Sequence, residues 1–192
     1  MRFACGVKRA LSGNDIAQLV DWLASKNEDV RYQAFLLLQH RSALFDDVYP
    51  FWDTFYEKLK SLNSYQRSIG LMLIAENVRW DTENRMEEIL DGYLVLLNDA
   101  KPNVVRQCIQ SLGKIVSAKP SLSDIVASRL ISFDIMAMKE TMRKSILLDI
   151  LNLLLIIREE QTTAEVESFI SNALSGEILD KKTSKQIENL LG

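Results

Sequence analysis

One helical pattern recurs four times along this chain, and it limits the fold more than any other feature of the sequence. The first copy begins at Asn27, and its apolar positions recur with the spacing of one face of an α-helix. When the copies are aligned, their matched starting residues are 35, 39 and 38 residues apart. An apolar or small residue follows four and eight positions later in every copy. The matched sets are Val30, Tyr65, Val104 and Met142; Ala34, Ile69, Cys108 and Ile146; and Leu38, Leu73, Leu112 and Ile150.

A helix of this kind cannot bury its apolar face alone, so its repetition predicts a stack of helix pairs that share one core. The 192 residues include only three prolines and seven glycines. That number is too small for an all-β chain, which needs a turn every 8 to 12 residues or so. We therefore predict an all-α fold in which residues 1–192 form a single domain. Its five helix pairs are expected at about 14–41, 46–77, 82–117, 123–158 and 162–191.

Local signals predict where individual helices begin and end. Ser12 precedes the first helix, which is expected to end near Lys26, and Ser64 is expected to cap the second helix of the second pair. Pro102 occupies a first helical turn, where its missing amide costs nothing. Thr162 begins a sequence typical of a capping box. The leading helices of the second and third pairs are expected at 46–60 and 82–97.

The second helices resemble those of the HEAT-repeat (armadillo-like) family, which often begin with aspartate or proline, then Val-Arg, and a small residue three positions after the arginine. Asp29-Val30-Arg31 with Ala34 fits this pattern, and residues 102–113 fit it with the arginine displaced by one position. Arg67 and Arg143 lie at similar places. The resemblance covers about residues 14–158. It implies a right-handed α-α superhelix, or α-solenoid, whose second helices line the concave surface.

A row of polar residues lies two positions after each matched start, a rotation of about 200° from it. Three of its four members are basic, and we call it the basic row. By the HEAT resemblance it would face the concave surface and bind an acidic segment of a partner protein. The alternative is that these cations pair with acidic groups of the adjacent repeat. The row comprises Tyr32, Arg67, Arg106 and Lys144.

Two further residues each leave two interpretations open. Asp149 lies inside the apolar stripe of the fourth copy, where a carboxylate needs a partner or has a raised pKa. It is either hydrogen-bonded to a neighbouring repeat or the acid of a functional pocket. Trp80 lies between two helices, where it either joins the core or contacts a partner. Trp22 and Trp52 share helix faces with aliphatic residues and are predicted to be core residues.

The sequence carries no motif of the common enzyme classes. His40 is the only histidine, and there is no Gly-rich phosphate loop, Cys-x-x-Cys pair or His-Glu-x-x-His helix. We therefore predict no catalytic residue, no metal ligand and no cofactor. Cys5 and Cys108 lie far apart, which suits a reducing compartment, and Cys108 is expected in the core.

No segment predicts secretion or membrane insertion. The N-terminal residues lack the apolar run of a secretory signal. The most apolar stretch, 146–157, includes Asp149 and Asn152 and is shorter than the roughly 20 residues that span a bilayer. A cytoplasmic location is expected.

Three functions fit these expectations. The first is a noncatalytic scaffold that binds another protein along its concave face. The second is a DNA glycosylase that acts on alkylated bases, since some HEAT-like proteins of about this size have that activity. The formal net charge of −3 disfavours nucleic acid as a partner. The third is a subunit or chaperone of a larger assembly, for which the leading helix would expose an apolar face of Trp52, Phe55 and Tyr56.

Overall fold

The fold of residues 12–191 is described by a computed structural model, and Cys5 lies outside this range. The described residues form ten α-helices with short 3-10 turns and contain no strand, which confirms the all-α prediction. The helices are α1 (Gly13–Trp22), α2 (Glu28–Leu44), α3 (Trp52–Leu59), α4 (Ser64–Asn77), α5 (Arg85–Leu94), α6 (Pro102–Ala118), α7 (Ser123–Ile131), α8 (Glu140–Glu160), α9 (Ala164–Ser175) and α10 (Lys181–Leu191).

Alternate helices lie side by side in chain order. Helix α4 packs against α2 and α6, and α6 packs in turn against α8. We call these four helices the second-helix layer. The leading helices α1, α3 and α7 pack against α2, α4 and α8 respectively, and α9 and α10 also contact α8. This arrangement places one continuous apolar core between the layer and the leading helices.

The recurring stripe forms the centre of that core. All eight residues four and eight positions after the matched starts are at most 1% exposed, including Cys108, as predicted. The starting positions vary more, since Val104 is buried whereas Tyr65 is exposed. Burial of these methyl and methylene groups is the main favourable contribution to such a stack.

A glycine allows the closest contact within the second pair. A Cβ atom at Gly70 of α4 would lie 2.7 Å from the backbone oxygen of Phe55 and 2.9 Å from a side-chain carbon of Leu59. Only a residue without a side chain lets α3 approach α4 this closely.

Two of the predicted helix starts are confirmed. The Ser12 hydroxyl accepts a hydrogen bond from the Asp15 amide at 3.3 Å, and the Asp15 carboxylate accepts one from the Ser12 amide at 2.8 Å. Pro102 is the first residue of α6.

Two other cap predictions are wrong by one residue. Asn63, not Ser64, caps α4, because its side-chain oxygen accepts the Tyr65 amide at 2.9 Å. Thr163, not Thr162, caps α9, and the Thr162 hydroxyl instead donates to a carbonyl at the end of α8. A capping residue needs an extended backbone, which Asn63 and Thr163 adopt.

The leading helices are shorter than predicted. Helix α1 ends at Trp22 rather than near Lys26. The segment expected at 46–60 enters α3 through a 3-10 turn that contains Pro50, which cannot donate a helical hydrogen bond. The segment expected at 82–97 begins only at Arg85, because Asn84 has a left-handed backbone with φ of 59°.

Candidate functional site

The cations of the basic row are paired within the chain. The Arg67 guanidinium donates two hydrogen bonds to the Asp99 carboxylate, at 2.6 and 2.8 Å, and the two side chains are only 14% and 5% exposed. Arg106 binds Asp149 in the same way, at 2.6 and 3.2 Å. Lys144 pairs with Asp180. Each acid belongs to the helix pair that follows its cation, so these contacts connect successive pairs.

A second arginine contact fixes the turns within the pairs. Arg31 donates to the carbonyl oxygen of Ser25 at 2.8 Å, and Arg67 donates to that of Ser61 at 2.7 Å. Arg143 donates to the Met138 carbonyl at 3.0 Å. In each case the guanidinium lies on the second helix and binds the segment that precedes it. Buried or half-buried carbonyls need such donors, which gives arginine a structural role near the start of these helices.

Asp149 connects α8 to α6. Its carboxylate is buried and accepts hydrogen bonds from Arg106 and, at 3.0 Å, from the Gln110 amide. Both donors lie on α6, so the structure contains the hydrogen bond to a neighbouring pair that was one of the two interpretations. The hydrogen bond to Asp149 also raises the pKa of Arg106.

Trp80 is half-buried and closes the end of α2. Its indole N–H donates to the Ser42 carbonyl at 2.7 Å, and the neighbouring Arg79 guanidinium donates to the Ala43 carbonyl at 2.6 Å. The last carbonyls of a helix have no donor within the helix, so these side chains supply one from the next pair. The hydrogen bond of Trp80 is therefore used inside the fold.

Sequence reasoning missed Asp81, whose carboxylate is fully buried at the start of the third pair. It accepts the Tyr49 hydroxyl at 2.9 Å and the backbone amides of Arg85 and Met86 at 3.0 Å each. Burial alone would raise the pKa of Asp81, but these hydrogen bonds and the nearby Lys119 lower it overall. Burial and the bond to Asp81 raise the pKa of Tyr49 to about 12. The only sequence signal is an aspartate shortly before a helix start.

Two aromatic predictions are corrected. Trp52 and Phe55 are buried between α3 and α4 and Tyr56 is half-buried, so the exposed apolar face expected from these three residues does not exist. Trp22 is exposed rather than in the core, because α1 ends there.

A cleft of about 380 Å³ opens at the N-terminal ends of α4, α6 and α8, and we call it the lysine cleft. Lys101 and Lys139 line it, and no carboxylate of residues 12–191 lies within 4.0 Å of either ammonium group. Asp99 is near enough for Lys101 to contribute to its lowered pKa. Neither α6 nor α8 has a side-chain cap, so both helices direct the positive ends of their dipoles here. The lining residues are Ser64, Tyr65, Ser68, Lys101, Pro102, Asn103, Val104, Lys139, Thr141 and Met142.

A second cleft of about 420 Å³ shares Tyr65 with the lysine cleft and extends to the start of α2. Tyr32 and Tyr65 are both exposed there, and the Arg31 guanidinium lies 4.7 Å from the centre of the Tyr65 ring. Glu28 and Asp29 also line this cleft. We refer to the two clefts together as the groove; Lys101 and Lys139 line it at α6 and α8, Tyr32 and Tyr65 line its second cleft, and Glu28 and Asp29 line it at α2.

Another cleft, of about 630 Å³, lies near the C-terminal ends of α4 and α6. The half-buried carboxylate of Glu76 in this cleft accepts a hydrogen bond from Gln39 at 2.9 Å and pairs with Lys114, so its charge is already balanced. Within residues 12–191, no three His, Cys, Asp or Glu side chains are grouped as metal ligands. No helix in this range is both long and apolar enough to cross a membrane.

The groove is the candidate site, because it is open, whereas the cations of the basic row are paired with carboxylates of the same chain. No protein-family model matches the chain, and no curated protein matches its sequence.

Proposed function

We propose that this chain is a noncatalytic, cytoplasmic α-solenoid of about five HEAT-like helix pairs that binds an acidic segment of another protein in its groove. The architecture is supported by the chain order of the second-helix layer and by the eight matched residues buried in it. The buried free thiol of Cys108 is compatible with a reducing compartment.

The binding proposal depends on one observation: the arginines of the basic row already bind carboxylates, whereas the lysines of the lysine cleft do not. An acidic partner that bound Arg67 or Arg106 would have to replace carboxylates that already bind them with short hydrogen bonds. No carboxylate of the described residues lies within 4.0 Å of the Lys101 or Lys139 ammonium group, and the acids nearest these helix starts are Asp99, which accepts the Lys101 amide, and Glu140, the first residue of α8. We therefore propose that the acidic segment binds at the lysine cleft rather than at the basic row. Tyr32, the fourth member of the row, lines the groove.

The groove also defines the length and polarity of the segment it would bind. Neighbouring packed helices lie about 8–10 Å apart, so the path from α2 to α8 is roughly 30 Å, the length of about nine extended residues. Carboxylates of the segment would lie at Lys101 and Lys139, and apolar or aromatic side chains at Tyr32 and Tyr65. A basic residue would suit the end near Glu28.

Affinity capture with charge-reversed variants tests this proposal. Lys101→Glu with Lys139→Glu is compared with Lys181→Glu plus Lys185→Glu on α10, which makes the same change of charge at exposed positions outside the groove. Tagged proteins are used to capture partners from a lysate of the native host, and captured proteins are quantified by mass spectrometry. We expect the first variant to lose a partner that the control retains, with an unchanged circular dichroism spectrum for both. Equal capture by both variants would refute the groove assignment.

The glycosylase alternative makes a different prediction. Binding a DNA duplex requires several cations that are free to neutralise phosphates. Arg67, Arg106 and Lys144 are already paired with carboxylates, which disfavours duplex binding along the basic row. We expect no salt-dependent gel shift with alkylated DNA, and such a shift at low salt would favour the glycosylase.

A further inference from the structure

The ten residues that line the lysine cleft are all neutral or basic, and several of them present hydrogen-bond donors to it. Besides Lys101 and Lys139, three hydroxyl residues lie along the cleft, namely Ser64, Ser68 and Thr141. None of these three hydroxyl groups forms a hydrogen bond with another residue in the described part of the chain. Each hydroxyl is therefore available to donate to a ligand in the cleft.

Two backbone amides of the cleft also lack an acceptor within residues 12–191. Asn103 and Thr141 are the second residues of α6 and α8, where an amide has no carbonyl partner inside its own helix. Neither amide donates to a turn or a loop carbonyl, and neither helix has a side-chain cap. These amides add to the donors of the lysines and the hydroxyl residues.

This set of donors matches a phosphate monoester better than a carboxylate. A phosphorylated serine or threonine carries a charge of about −1.5 to −2 at pH 7 and has three strong acceptor oxygens. A carboxylate has a single charge and two oxygens. One phosphoryl group can therefore balance both lysines and still accept hydrogen bonds from the hydroxyls, whereas one carboxylate leaves a lysine unbalanced. The nearby acids do not oppose it inside the cleft, because Asp99 is paired with Arg67, and Glu140 is exposed and is not among the lining residues.

The rest of the groove favours a phosphorylated peptide over a membrane or a nucleic acid. The second cleft, which shares Tyr65 with the lysine cleft, is lined by Glu28 and Asp29. An anionic membrane or a nucleic-acid backbone presents negative charge along its whole length, and these carboxylates would repel it. A peptide brings one phosphoryl group, and its flanking residues can be apolar or basic where they meet Tyr32, Tyr65 and the two acids.

We infer that the group bound in the lysine cleft is a phosphorylated serine or threonine of the partner segment. Lys101 and Lys139 bind its phosphoryl oxygens, and the hydroxyl groups of Ser64, Ser68 and Thr141 donate to them. This inference rests on the proposed function, because it specifies the acidic group of the segment as one phosphoryl group in place of carboxylates. Binding then requires that a kinase has acted on the partner, so the chain would read the phosphorylation state of that protein.

NMR titration of the isotope-labelled chain with small probes tests the phosphate site. The probes are serine, glutamate and O-phosphoserine, each with an acetylated amino group and a methylamide at the carboxyl end. Phosphoserine is expected to shift the amide resonances of the cleft residues and to bind about 10-fold more tightly than glutamate, because it forms charge-assisted hydrogen bonds with both lysines. Lys101→Gln with Lys139→Gln should abolish this binding. Lys181→Gln with Lys185→Gln on α10 is the matched control and should retain it.

Thr141→Val tests a hydroxyl donor without any change of charge. The loss of one neutral hydrogen bond should weaken phosphoserine binding about fivefold. Equal affinity for glutamate and phosphoserine, resonance shifts outside the cleft, or no shift with phosphoserine would overturn the inference. Cosedimentation with vesicles of phosphatidylcholine and a phosphoinositide that requires Lys101 and Lys139 would also overturn it, and would assign the cleft to a membrane.

Capture from a phosphatase-treated lysate separates this inference from the proposed function. The partner that the wild-type chain captures, and that Lys101→Glu with Lys139→Glu loses, should be captured when phosphatase inhibitors are present and lost after phosphatase treatment. If capture requires the two lysines but survives the phosphatase, the phosphoryl group is refuted and the proposed function stands. If capture does not require the two lysines, both the inference and the proposed function are refuted.

Discussion

Replacing Arg67 by alanine tests whether the basic row stabilises the fold. The substitution removes both hydrogen bonds to Asp99 and the bonds to the carbonyl oxygens of Ser61 and Leu62. It leaves the Asp99 carboxylate buried without its main partner. The variant therefore changes a contact between the second and third helix pairs and a turn within the second pair.

The size of the effect follows from burial. Removing one partner of a buried ion pair costs about 3–5 kcal/mol, because the other charge stays desolvated. Asp99 retains a hydrogen bond from the Lys101 amide at 2.8 Å, so we expect the lower end, about 3 kcal/mol. For a chain of this length that corresponds to a decrease in Tm of roughly 6–12 °C.

The effect should depend on pH. Burial raises the pKa of Asp99, but the hydrogen bonds from Arg67 and from the Lys101 amide lower it overall. A carboxyl with a lowered pKa stabilises the fold above its ordinary pKa of about 3.9, and this contribution is lost as the pH falls through the lower folded value. The difference between wild type and Arg67→Ala is thus expected to be full at pH 7 and to shrink in acid.

Urea unfolding of matched variants measures these differences. Arg129→Ala is the control, because Arg129 and Asp91 are both exposed and 3.8 Å apart, and its loss should cost at most about 1 kcal/mol. Adding Asp99→Asn to Arg67→Ala should recover part of the lost stability by removing the isolated charge. If Arg67→Ala were as stable as Arg129→Ala at pH 7, the claim that the basic row stabilises the fold would be refuted.

Three other variants test the packing, a cap and a buried network. Gly70→Ala should destabilise by about 1–3 kcal/mol, because its Cβ would meet the backbone of α3, whereas Gly13→Ala has open space and should not destabilise. Asn63→Ala should lower the free energy of unfolding by about 1 kcal/mol and Ser64→Ala by much less. Tyr49→Phe removes the hydrogen bond from the Tyr49 hydroxyl to Asp81. Because the pKa of Tyr49 is raised to about 12 in the folded chain, the stabilisation from this hydrogen bond is present below pH 10 and disappears by about pH 12. Thermal and urea unfolding check all three, and equal stabilities within each matched pair, or a pH-independent effect of Tyr49→Phe, would contradict them.

The periodic part of the fold could be predicted from the sequence because burial enforces it. The helix spacing, the eight stripe residues and the proline at the start of α6 all depend on local pattern and a shared core. Helix ends were less accurate, since Asn63 and Ser64 are both good capping residues. The choice between them depends on which one adopts an extended backbone in the folded turn.

The candidate site could be predicted only in part. The sequence gives the basic residues of the row, but not that Asp99 and Asp180, which lie more than 30 positions away, return to pair with them. Lys101 and Lys139 lie in turns that do not share a helix face. Their proximity follows from the packing of three helices, which no local spacing reveals.

Lysine acetylation footprinting of the captured complex tests the groove most directly. Free and partner-bound protein are labelled briefly, and the acetylation of each lysine is quantified by mass spectrometry. We predict that the partner protects Lys101 and Lys139, while Lys181, Lys182 and Lys185 are labelled equally in both samples. Unchanged labelling of Lys101 and Lys139 in a stable complex would contradict the account.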